Sequence, residues 1–133
     1  MALPLLKEQE LTIPQVIKVI EEGLPVSAFT QIRDDLGLTD KELAKIIRVP
    51  KSTLATRKKK GRFSFEESER LYRVQRLLTK AVDVFGAIEP ARKWLIEKAY
   101  GLGDISPLEF AKTEIGAREV ENLLGRIEYG VFS

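Results

Sequence analysis

Residues 39–62 read TDKELAKIIRVPKSTLATRKKKGR, and this stretch decides the fold of the chain. Thr39 and Glu42 form a capping-box pattern, in which each side chain can bond the backbone N–H of the other residue, so they predict the start of a short helix. Pro50 prevents that helix from continuing straight. A second helix is predicted over about residues 51–60, before a glycine that can end it. The stretch therefore predicts two short helices joined by a tight connection.

Positive charge is concentrated in the same stretch. Residues 39–62 carry nine Lys or Arg and two Asp or Glu, a net charge of +7, in a chain whose net charge is +2. Residues 1–38 carry −3, residues 63–85 are balanced, and residues 86–133 carry −2. A block of one sign between neutral or acidic flanks is typical of a surface that binds a polyanion. Charge alone leaves open the alternative of a solvated, lysine-rich helix face.

Three apolar positions give this stretch the spacing of a helix-turn-helix. Ala44 is small where the second helix would cross the first, Val49 can tuck under the connection, and Leu54 can hold the second helix to the first. This spacing resembles the helix-turn-helix of the Xre, phage-repressor-like, family. The usual glycine of the turn is replaced by Arg48, which in a left-handed conformation costs roughly 1 kcal/mol relative to glycine. Either the turn is distorted or Arg48 contacts phosphate.

The second helix is predicted to be a recognition helix, whose N-terminal residues reach base edges in the major groove. The candidates for base contacts are Lys51, Ser52, Thr53, Thr56 and Arg57. Lysine and arginine suit guanine acceptors, and serine or threonine can bond several bases. The candidates for phosphate contacts, which give affinity without sequence information, are Lys58, Lys59, Lys60 and Arg62. Lys59 and Lys60 are neighbours on the helix and cannot both face one groove. The alternative for part of this cluster is that it only makes the protein surface soluble.

Helical signals dominate the rest of the chain, and no alternating strand pattern is present, so the predicted fold is all-α. Helices are predicted over about residues 12–23 and 25–37, ahead of the motif. A long helix is predicted from Ser64, at another capping-box pattern, to about Phe85. Its apolar stripe is either core or part of a dimer seam, because the helix is longer than a small helical core needs.

The last part of the chain predicts shorter helices separated by glycines. One helix is predicted over about residues 90–101, and a short one over about residues 106–113, with Gly116 as the break after it. A final helix is predicted over about residues 117–127. A boundary near residues 85–89 would then separate two helical modules.

Composition narrows the classes of function. The chain has no cysteine and no histidine, which excludes disulfides and thiolate metal sites and removes the commonest general base. The neighbouring acids Asp34-Asp35 and Glu66-Glu67 fit helix-surface and first-turn charges better than a catalytic pair. No apolar stretch reaches the roughly 18 residues of a membrane-spanning helix. We therefore expect no catalytic activity, no cofactor, no metal and no membrane association.

A second pattern lies in the C-terminal third of the chain. Its features are Trp94-Leu95, a loop with glycines at 101 and 103, Pro107-Leu108, Thr113, Gly116 and Gly130. Together they resemble the toxin-binding domain of the Xre/MbcA/ParS antitoxins, over about residues 87–133. The resemblance implies an Xre-like helix-turn-helix bundle with a long connecting helix over residues 1–85 and a small helical toxin-binding module over residues 86–133.

This resemblance implies an antitoxin of a type II toxin–antitoxin system, which is not itself an enzyme. Such proteins neutralise a toxin with a RES domain, which degrades NAD, by reaching with their C-terminal end into or over its active-site cleft. They also bind their own promoter and repress the operon. The implied partners are a cognate RES-domain toxin and operator DNA, and the implied location is the bacterial cytoplasm, at the nucleoid when DNA is bound. Paired operator half-sites need paired recognition helices, so we expect a homodimer and a higher-order complex with toxin.

The chain end carries the candidate contacts with that toxin. The candidates are Trp94, Arg126, Tyr129, Gly130, Val131, Phe132 and Ser133. Three of the last five residues are apolar, whereas termini are commonly polar and frayed, so the end either packs on its own body or anchors a partner. The acidic module suits a cleft that is positive for the phosphates of NAD. For Trp94 a place in the core is the simpler alternative.

Two alternatives to the antitoxin remain. A stand-alone Xre-family transcription regulator would use its C-terminal module only to dimerise or to sense a ligand. A carboxylate-based enzyme ranks below both, because the acidic residues have simpler structural explanations. A small toxic protein encoded beside this gene would favour the antitoxin.

Overall fold

The computed structural model describes residues 11–130, with the backbone alone at Tyr100. The helices in this part are α1 (Ile13–Glu22), α2 (Val26–Leu36), α3 (Asp40–Ile46), α4 (Lys51–Lys60), α5 (Phe65–Phe85), α6 (Ile88–Ile96), a 3-10 turn (Tyr100–Leu102), α7 (Pro107–Phe110) and α8 (Glu114–Glu128). Over these residues the chain forms no strand, only the isolated bridges Pro25–Arg62 and Ala99–Ile105. The predicted all-α class is therefore confirmed.

The chain divides into two compact units, the first ending at Tyr72 and the second beginning at Arg73. The dividing point lies inside α5, so the two parts of one helix belong to different units. The sequence pattern placed a boundary near residues 85–89, because a glycine there ends the helical periodicity. The sequence shows where a helix ends. It does not show where two compact units divide, because that depends on what each part of the helix packs against. The functional extents 1–85 and 86–133 stay a prediction.

Side-chain caps start three helices of the first unit, as the sequence predicts. The reciprocal pairs are Thr12 with Gln15 for α1, Thr39 with Glu42 for α3, and Ser64 with Glu67 for α5. α2 and α4 begin directly after Pro25 and Pro50, whose fixed φ suits the entry to a helix. Gly37 and Gly61 end these two helices in a left-handed conformation. Local signals thus account for both helices of the basic motif.

The connection before α2 and the connection before α5 are bonded to each other in the first unit. The Phe63 N–H donates to the Leu24 carbonyl over 2.9 Å, and the Leu24 N–H donates to the buried Ser68 hydroxyl over 2.8 Å. A Cβ at Gly23 would lie 2.3 Å from the Phe63 carbonyl oxygen, so only glycine fits there. The rings of Phe29 and Phe63 lie 5.6 Å apart in the core below. This junction holds the end of α4 in place.

The second unit packs α6, α7 and α8 with the later part of α5. Its buried apolar side chains include Leu77, Leu78, Ala81, Ala91, Leu95, Leu108, Ala117, Val120 and Leu124. The rings of Phe85 and Trp94 lie 5.8 Å apart. Because most of the predicted apolar stripe of α5 is buried within the chain, that stripe serves as core.

The start of α8 differs from the prediction of a break at Gly116 and a helix from Ala117. α8 begins at Glu114, and the Thr113 hydroxyl caps it by accepting from the Gly116 N–H over 3.1 Å. A Cβ at Gly116 would lie 1.8 Å from the Phe110 carbonyl oxygen. The glycine therefore allows α7 and α8 to approach closely and does not end a helix. α7 also ends earlier than predicted, at Phe110.

The ends of α6 also differ from the predicted range of residues 90–101. The helix spans Ile88–Ile96, so Pro90 lies in its first turn, where a missing N–H removes no helical hydrogen bond. Beyond the helix, the Ala99 N–H donates to the Ile105 carbonyl over 3.0 Å. This bridge closes the loop that holds the 3-10 turn, and it requires extended backbone where the prediction had helix.

Candidate functional site

The connection between α3 and α4 forms the tight turn that the motif needs. The Val49 N–H donates to the Ala44 carbonyl over 2.8 Å, and the Arg48 N–H donates to the Lys45 carbonyl over 3.2 Å. Arg48 has a φ of 57°, in the left-handed region, where a side chain adds roughly 1 kcal/mol of strain. The turn keeps its hydrogen bonds, and the strain falls on an exposed arginine.

The apolar residues that define the motif are buried as predicted. The exposed fractions of Ala44, Val49 and Leu54 are 5%, 4% and 6%. These residues belong to the buried apolar core of the first unit, which supports α3 and α4. The outer side chains of α4 are therefore presented on a rigid support.

Most of the predicted DNA-contacting residues of α4 are open to solvent. The exposed members are Lys51, Ser52, Thr56, Lys58, Lys59 and Lys60, whereas Thr53 is half-buried. The Thr56 hydroxyl donates to the Ser52 carbonyl over 3.1 Å, which leaves its oxygen as an acceptor. Within residues 11–130, Lys51, Lys59 and Lys60 have no ion-pair partner. Their full charge is available to a polyanion.

Arg57 is bonded inside the first unit. Its Nε and one Nη donate to the two carboxylate oxygens of Glu67, over 2.7 and 3.2 Å. Glu67 is buried and also accepts from the Ser64 N–H over 2.8 Å. Burial raises the pKa of Glu67, but hydrogen bonds from Arg57 and Ser64 outweigh burial and hold the pKa below its ordinary value. Arg57 thus links the recognition helix to the first turn of α5.

Lys58 and Arg62 also have partners within the chain. Lys58 donates to one carboxylate oxygen of Asp40, and Arg33 donates to the other over 2.7 Å. The hydrogen bonds from Lys58 and then Arg33 lower the pKa of Asp40. Arg62 donates to the Gly23 carbonyl over 2.8 Å. Three of the predicted contact residues are therefore already bonded in the unbound chain.

A groove of about 610 Å³ lies between α3 and α4. Its apolar floor is formed by Ala44, Val49, Leu54 and Ala55, and its rim carries Asp40, Lys41, Lys45, Lys51 and Lys58. Lys41 and Lys45 were missed as candidate contacts from the sequence. Their membership of the +7 block and their spacing of four along a helix were the signals that could have identified them.

The predicted toxin contacts are in part exposed and in part outside the described residues. Arg126 and Tyr129 are exposed, with 80% of Tyr129 accessible, and the exposed Gly130 has a φ of 69°. Trp94 is half-buried against Phe85. The predicted contacts Val131, Phe132 and Ser133 lie outside the described residues.

One face of α8 is exposed along its whole length. It consists of Ile115, Glu119, Asn122, Arg126 and Tyr129, spaced alternately by four and three residues. Ile115 is 82% exposed and was missed as a candidate contact. The available signal was that it lies off the helical face defined by Ala117, Val120 and Leu124.

Ion pairs fix the register of α8 along the later part of α5. The pairs are Arg73 with Glu114 (3.2 Å), Arg76 with Glu114 (3.1 Å) and Glu121 (2.9 Å), and Lys80 with Glu128 (3.0 Å). Burial raises the pKa of Glu114, but Arg76 and Arg73 outweigh burial and lower it. The hydrogen bond that Lys80 donates to Glu128 raises the pKa of Lys80. This ladder extends to the last turn of α8, directly before Tyr129.

Comparison with known proteins identifies both modules. A family model described as the antitoxin Xre-like helix-turn-helix domain matches residues 15–76, and one described as the antitoxin Xre/MbcA/ParS C-terminal toxin-binding domain matches residues 80–130. Antitoxin Xre of Yersinia enterocolitica is 37% identical over 120 residues, which cover 89% of this chain and 81% of that protein. The chain belongs to the Xre antitoxin family.

Two further relatives carry the same family name. Antitoxin Xre of Photorhabdus laumondii is 34% identical over 122 residues, covering 90% of this chain and 82% of that protein. Antitoxin Xre of Pseudomonas putida is 28% identical over 112 residues, covering 84% and 69%. In this Xre family member the DNA-binding helix-turn-helix domain includes α3 and α4, and the toxin-binding domain includes α6, α7 and α8.

Residues 11–130 contain neither a membrane-spanning helix nor a cluster of metal ligands. None of the helices between residues 11 and 130 has both the length and the apolar character to cross a bilayer. Over the same residues, no group of three or more acidic side chains is placed to hold a metal ion.

Proposed function

We propose that this Xre family member is the antitoxin of a type II toxin–antitoxin pair. It neutralises a cognate RES-domain, NAD-degrading toxin by covering the active site with its C-terminal region. It also represses its own operon by binding promoter DNA through α3 and α4. The observation that carries this proposal is that one chain presents two exposed surfaces. The first is the set of cations on the helix-turn-helix, and the second is the outer face of α8 in the toxin-binding domain. A stand-alone regulator accounts for the first surface and leaves the second without a partner.

The DNA-binding half of the proposal rests on the exposed side chains of α4. Lys51, Ser52, Thr53 and Thr56 lie on the first part of the helix, which in this motif meets base edges. Lys59 and Lys60, together with Lys41 and Lys45 of α3, contact phosphates and release counterions, which makes binding depend on salt. Arg57 retains N–H donors that its bonds to Glu67 do not use, and these donors contact DNA.

The toxin-binding half rests on the outer face of α8 and the chain end. Tyr129 and Arg126 belong to residue types that commonly dominate interface energetics. Ile115 adds an exposed apolar anchor at the other end of the same face. Trp94 and residues 130–133 complete the proposed contact set. A net charge of −2 over residues 86–133 favours approach to a cleft that is positive for a dinucleotide.

Assembly follows from the operator. Two recognition helices are needed for two half-sites, so the DNA-binding form is a homodimer, and the toxin adds to it in a higher-order complex. Most of the apolar stripe of α5 is buried within the chain, so the dimer uses another surface. The protein acts in the cytoplasm, at the nucleoid when it is bound to DNA, and needs no cofactor.

The toxin arm of the test is co-expression with the RES-domain protein encoded beside the gene. Full-length protein is compared with a truncation that lacks residues 129–133, with cell growth and cellular NAD as readouts. We expect the truncation to lose rescue while it still binds promoter DNA. If the truncated protein protects growth and NAD as fully as the intact chain, the active-site block is wrong.

Matched isoleucines localise the toxin surface. Ile115 and Ile13 are 82% and 77% exposed in the first turns of α8 and α1. We expect Ile115→Ala to weaken toxin capture and Ile13→Ala to leave it unchanged. Equal effects of the two substitutions would remove α8 from the interface.

The DNA arm measures binding to the promoter duplex as a function of salt. Replacing Lys59 and Lys60 together by alanine should reduce the slope of log K against log salt by up to about 0.9 for each lost phosphate contact. Lys18→Ala, at an exposed lysine of α1, is the control and should leave the slope unchanged. An unchanged slope in the double variant would place the DNA surface elsewhere. DNA binding without any effect on the toxin would instead favour the stand-alone regulator.

A further inference from the structure

We propose that Asp40 is an internal counter-ion that occupies Lys58 and thereby lowers the affinity of the recognition helix for DNA phosphate. The inference rests on the proposed DNA-binding function and adds a residue that limits it. Asp40 and Glu42 are the two acids within the +7 block of residues 39–62.

The geometry distinguishes these two acids. Glu42 accepts from the Thr39 N–H over 2.9 Å, which is the helix-capping role that its position predicts. Asp40, the first residue of α3, makes no such cap. One of its carboxylate oxygens accepts from Arg33 over 2.7 Å, and the other accepts from Lys58. Asp40 therefore joins α2, α3 and α4 through charge.

The Asp40–Lys58 pair is open to a competing anion. The Asp40 side chain is 34% exposed and the Lys58 side chain is 44% exposed. Both lie on the rim of the groove that also carries Lys41, Lys45 and Lys51. A phosphate that approaches Lys58 must displace the carboxylate of Asp40 or remain beside it.

Displacement changes the energetics of DNA binding. A lysine that is already paired with a carboxylate exchanges one anion for another, so its contact with phosphate releases less counterion than a contact by an unpaired lysine. The unpaired carboxylate would also face the DNA backbone and repel it. Because phosphate contacts carry no sequence information, this effect applies to DNA of any sequence. Asp40 thus reduces non-specific binding and leaves base contacts to determine where the protein binds.

The test begins with Asp40→Asn and a labelled duplex of random sequence. Full-length wild type and variant are titrated by fluorescence anisotropy at several salt concentrations. We expect the variant to bind several-fold more tightly at low salt, with a slope of log K against log salt that is steeper by about 0.9. Between 50 and 200 mM salt, the gain should shrink roughly threefold.

Asp34→Asn is the matched control. Asp34 also pairs with Arg33, over 2.8 Å, and its replacement changes the net charge by the same amount without releasing Lys58. We expect its salt slope to equal that of wild type. If Asp34→Asn and Asp40→Asn steepen the slope equally, overall charge explains the gain and the proposal is overturned.

A double-mutant comparison isolates the pair itself. We expect Asp40→Asn to increase affinity more in the wild-type background than in a Lys58→Ala background, where only the repulsion by the carboxylate is removed and no lysine is freed. A gain of equal size in the two backgrounds would show that Asp40 acts by repulsion alone and would overturn the proposal. So would an unchanged affinity of Asp40→Asn. If Asp40→Asn unfolds in a thermal scan, Asp40→Ser takes its place, because serine also suits a helix start.

The experiment distinguishes failure of the DNA-binding proposal from failure of the proposed role of Asp40. If wild type binds neither the promoter duplex nor the random duplex at low salt, the DNA-binding proposal fails and this inference fails with it. If wild type binds DNA and Asp40→Asn matches it, only the role of Asp40 is wrong.

Discussion

Replacing Gly116 by alanine tests the close approach of α7 and α8 in the toxin-binding unit. A Cβ at this position would lie 1.8 Å from the Phe110 carbonyl oxygen and 2.9 Å from the Phe110 carbonyl carbon. Both atoms are backbone, and the Phe110 N–H is itself bonded to the Ser106 carbonyl over 2.9 Å. The clash cannot be relieved by rotation of a side chain, so one helix must shift.

The magnitude follows from two opposing effects. Overpacking costs about 1–3 kcal/mol, and an immobile neighbour places Gly116→Ala at about 3 kcal/mol or more. Alanine recovers about 1 kcal/mol through its higher helix propensity. We therefore expect a net loss of at least about 2 kcal/mol in the free energy of unfolding.

Gly125 provides the control within the same helix. Nothing lies within 4 Å of a Cβ built at Gly125, so Gly125→Ala should stabilise the protein by about 0.5–1 kcal/mol. Urea unfolding followed by circular dichroism, with toxin capture measured in parallel, compares both variants with wild type. We expect the midpoint to fall for Gly116→Ala and to rise for Gly125→Ala. Equal midpoints for the two variants would refute the close approach of α7 and α8.

Three further substitutions test other features of the fold. Gln75 is buried and its side-chain amide makes no hydrogen bond to the described residues, so Gln75→Met should raise the free energy of unfolding by about 1–3 kcal/mol in urea denaturation. Arg48→Gly should relieve the left-handed strain and raise the free energy of unfolding by roughly 1 kcal/mol; an equal gain from Arg48→Ala, which keeps a Cβ, would contradict this. The pKa of Glu67 is lowered on folding, so its stabilisation is present above its ordinary value of 4.5 and is lost as the pH falls through the lowered value. In acid titrations of stability, Glu67→Gln should therefore lose less stability than wild type below that pH, and parallel profiles would contradict the assignment.

The helix starts of the first unit were predictable because their signals are local. A capping pair such as Thr39 with Glu42 joins residues three apart, and its hydrogen bonds form whenever that segment is helical. The motif spacing of Ala44, Val49 and Leu54 was predictable for a related reason, since a two-helix motif with a short turn has few geometries. The sequence left open whether the turn at Arg48 is distorted, and the structure shows that Arg48 adopts the left-handed conformation.

The second unit was less predictable because its determinants are distant in sequence. Gly116 has the appearance of a helix break, and only the position of Phe110 shows that it permits close packing. The bridge from Ala99 to Ile105 ends the helical region earlier than the local pattern indicates. The ion pairs that join Arg73 and Arg76 to α8 leave no periodic signal that a single segment could reveal.

The basic block shows the same division between local and distant causes. The sequence alone determines that the chain has the second helix of a helix-turn-helix, that this helix lies in a segment of net charge +7, and that an acidic module follows. The tertiary structure decided which cations of the helix are paired with a carboxylate, because Arg57 meets Glu67 from α5 and Lys58 meets Asp40 from α3. Helix formation depends on hydrogen bonds between near neighbours, whereas the charge available to DNA depends on carboxylates that only folding brings within contact.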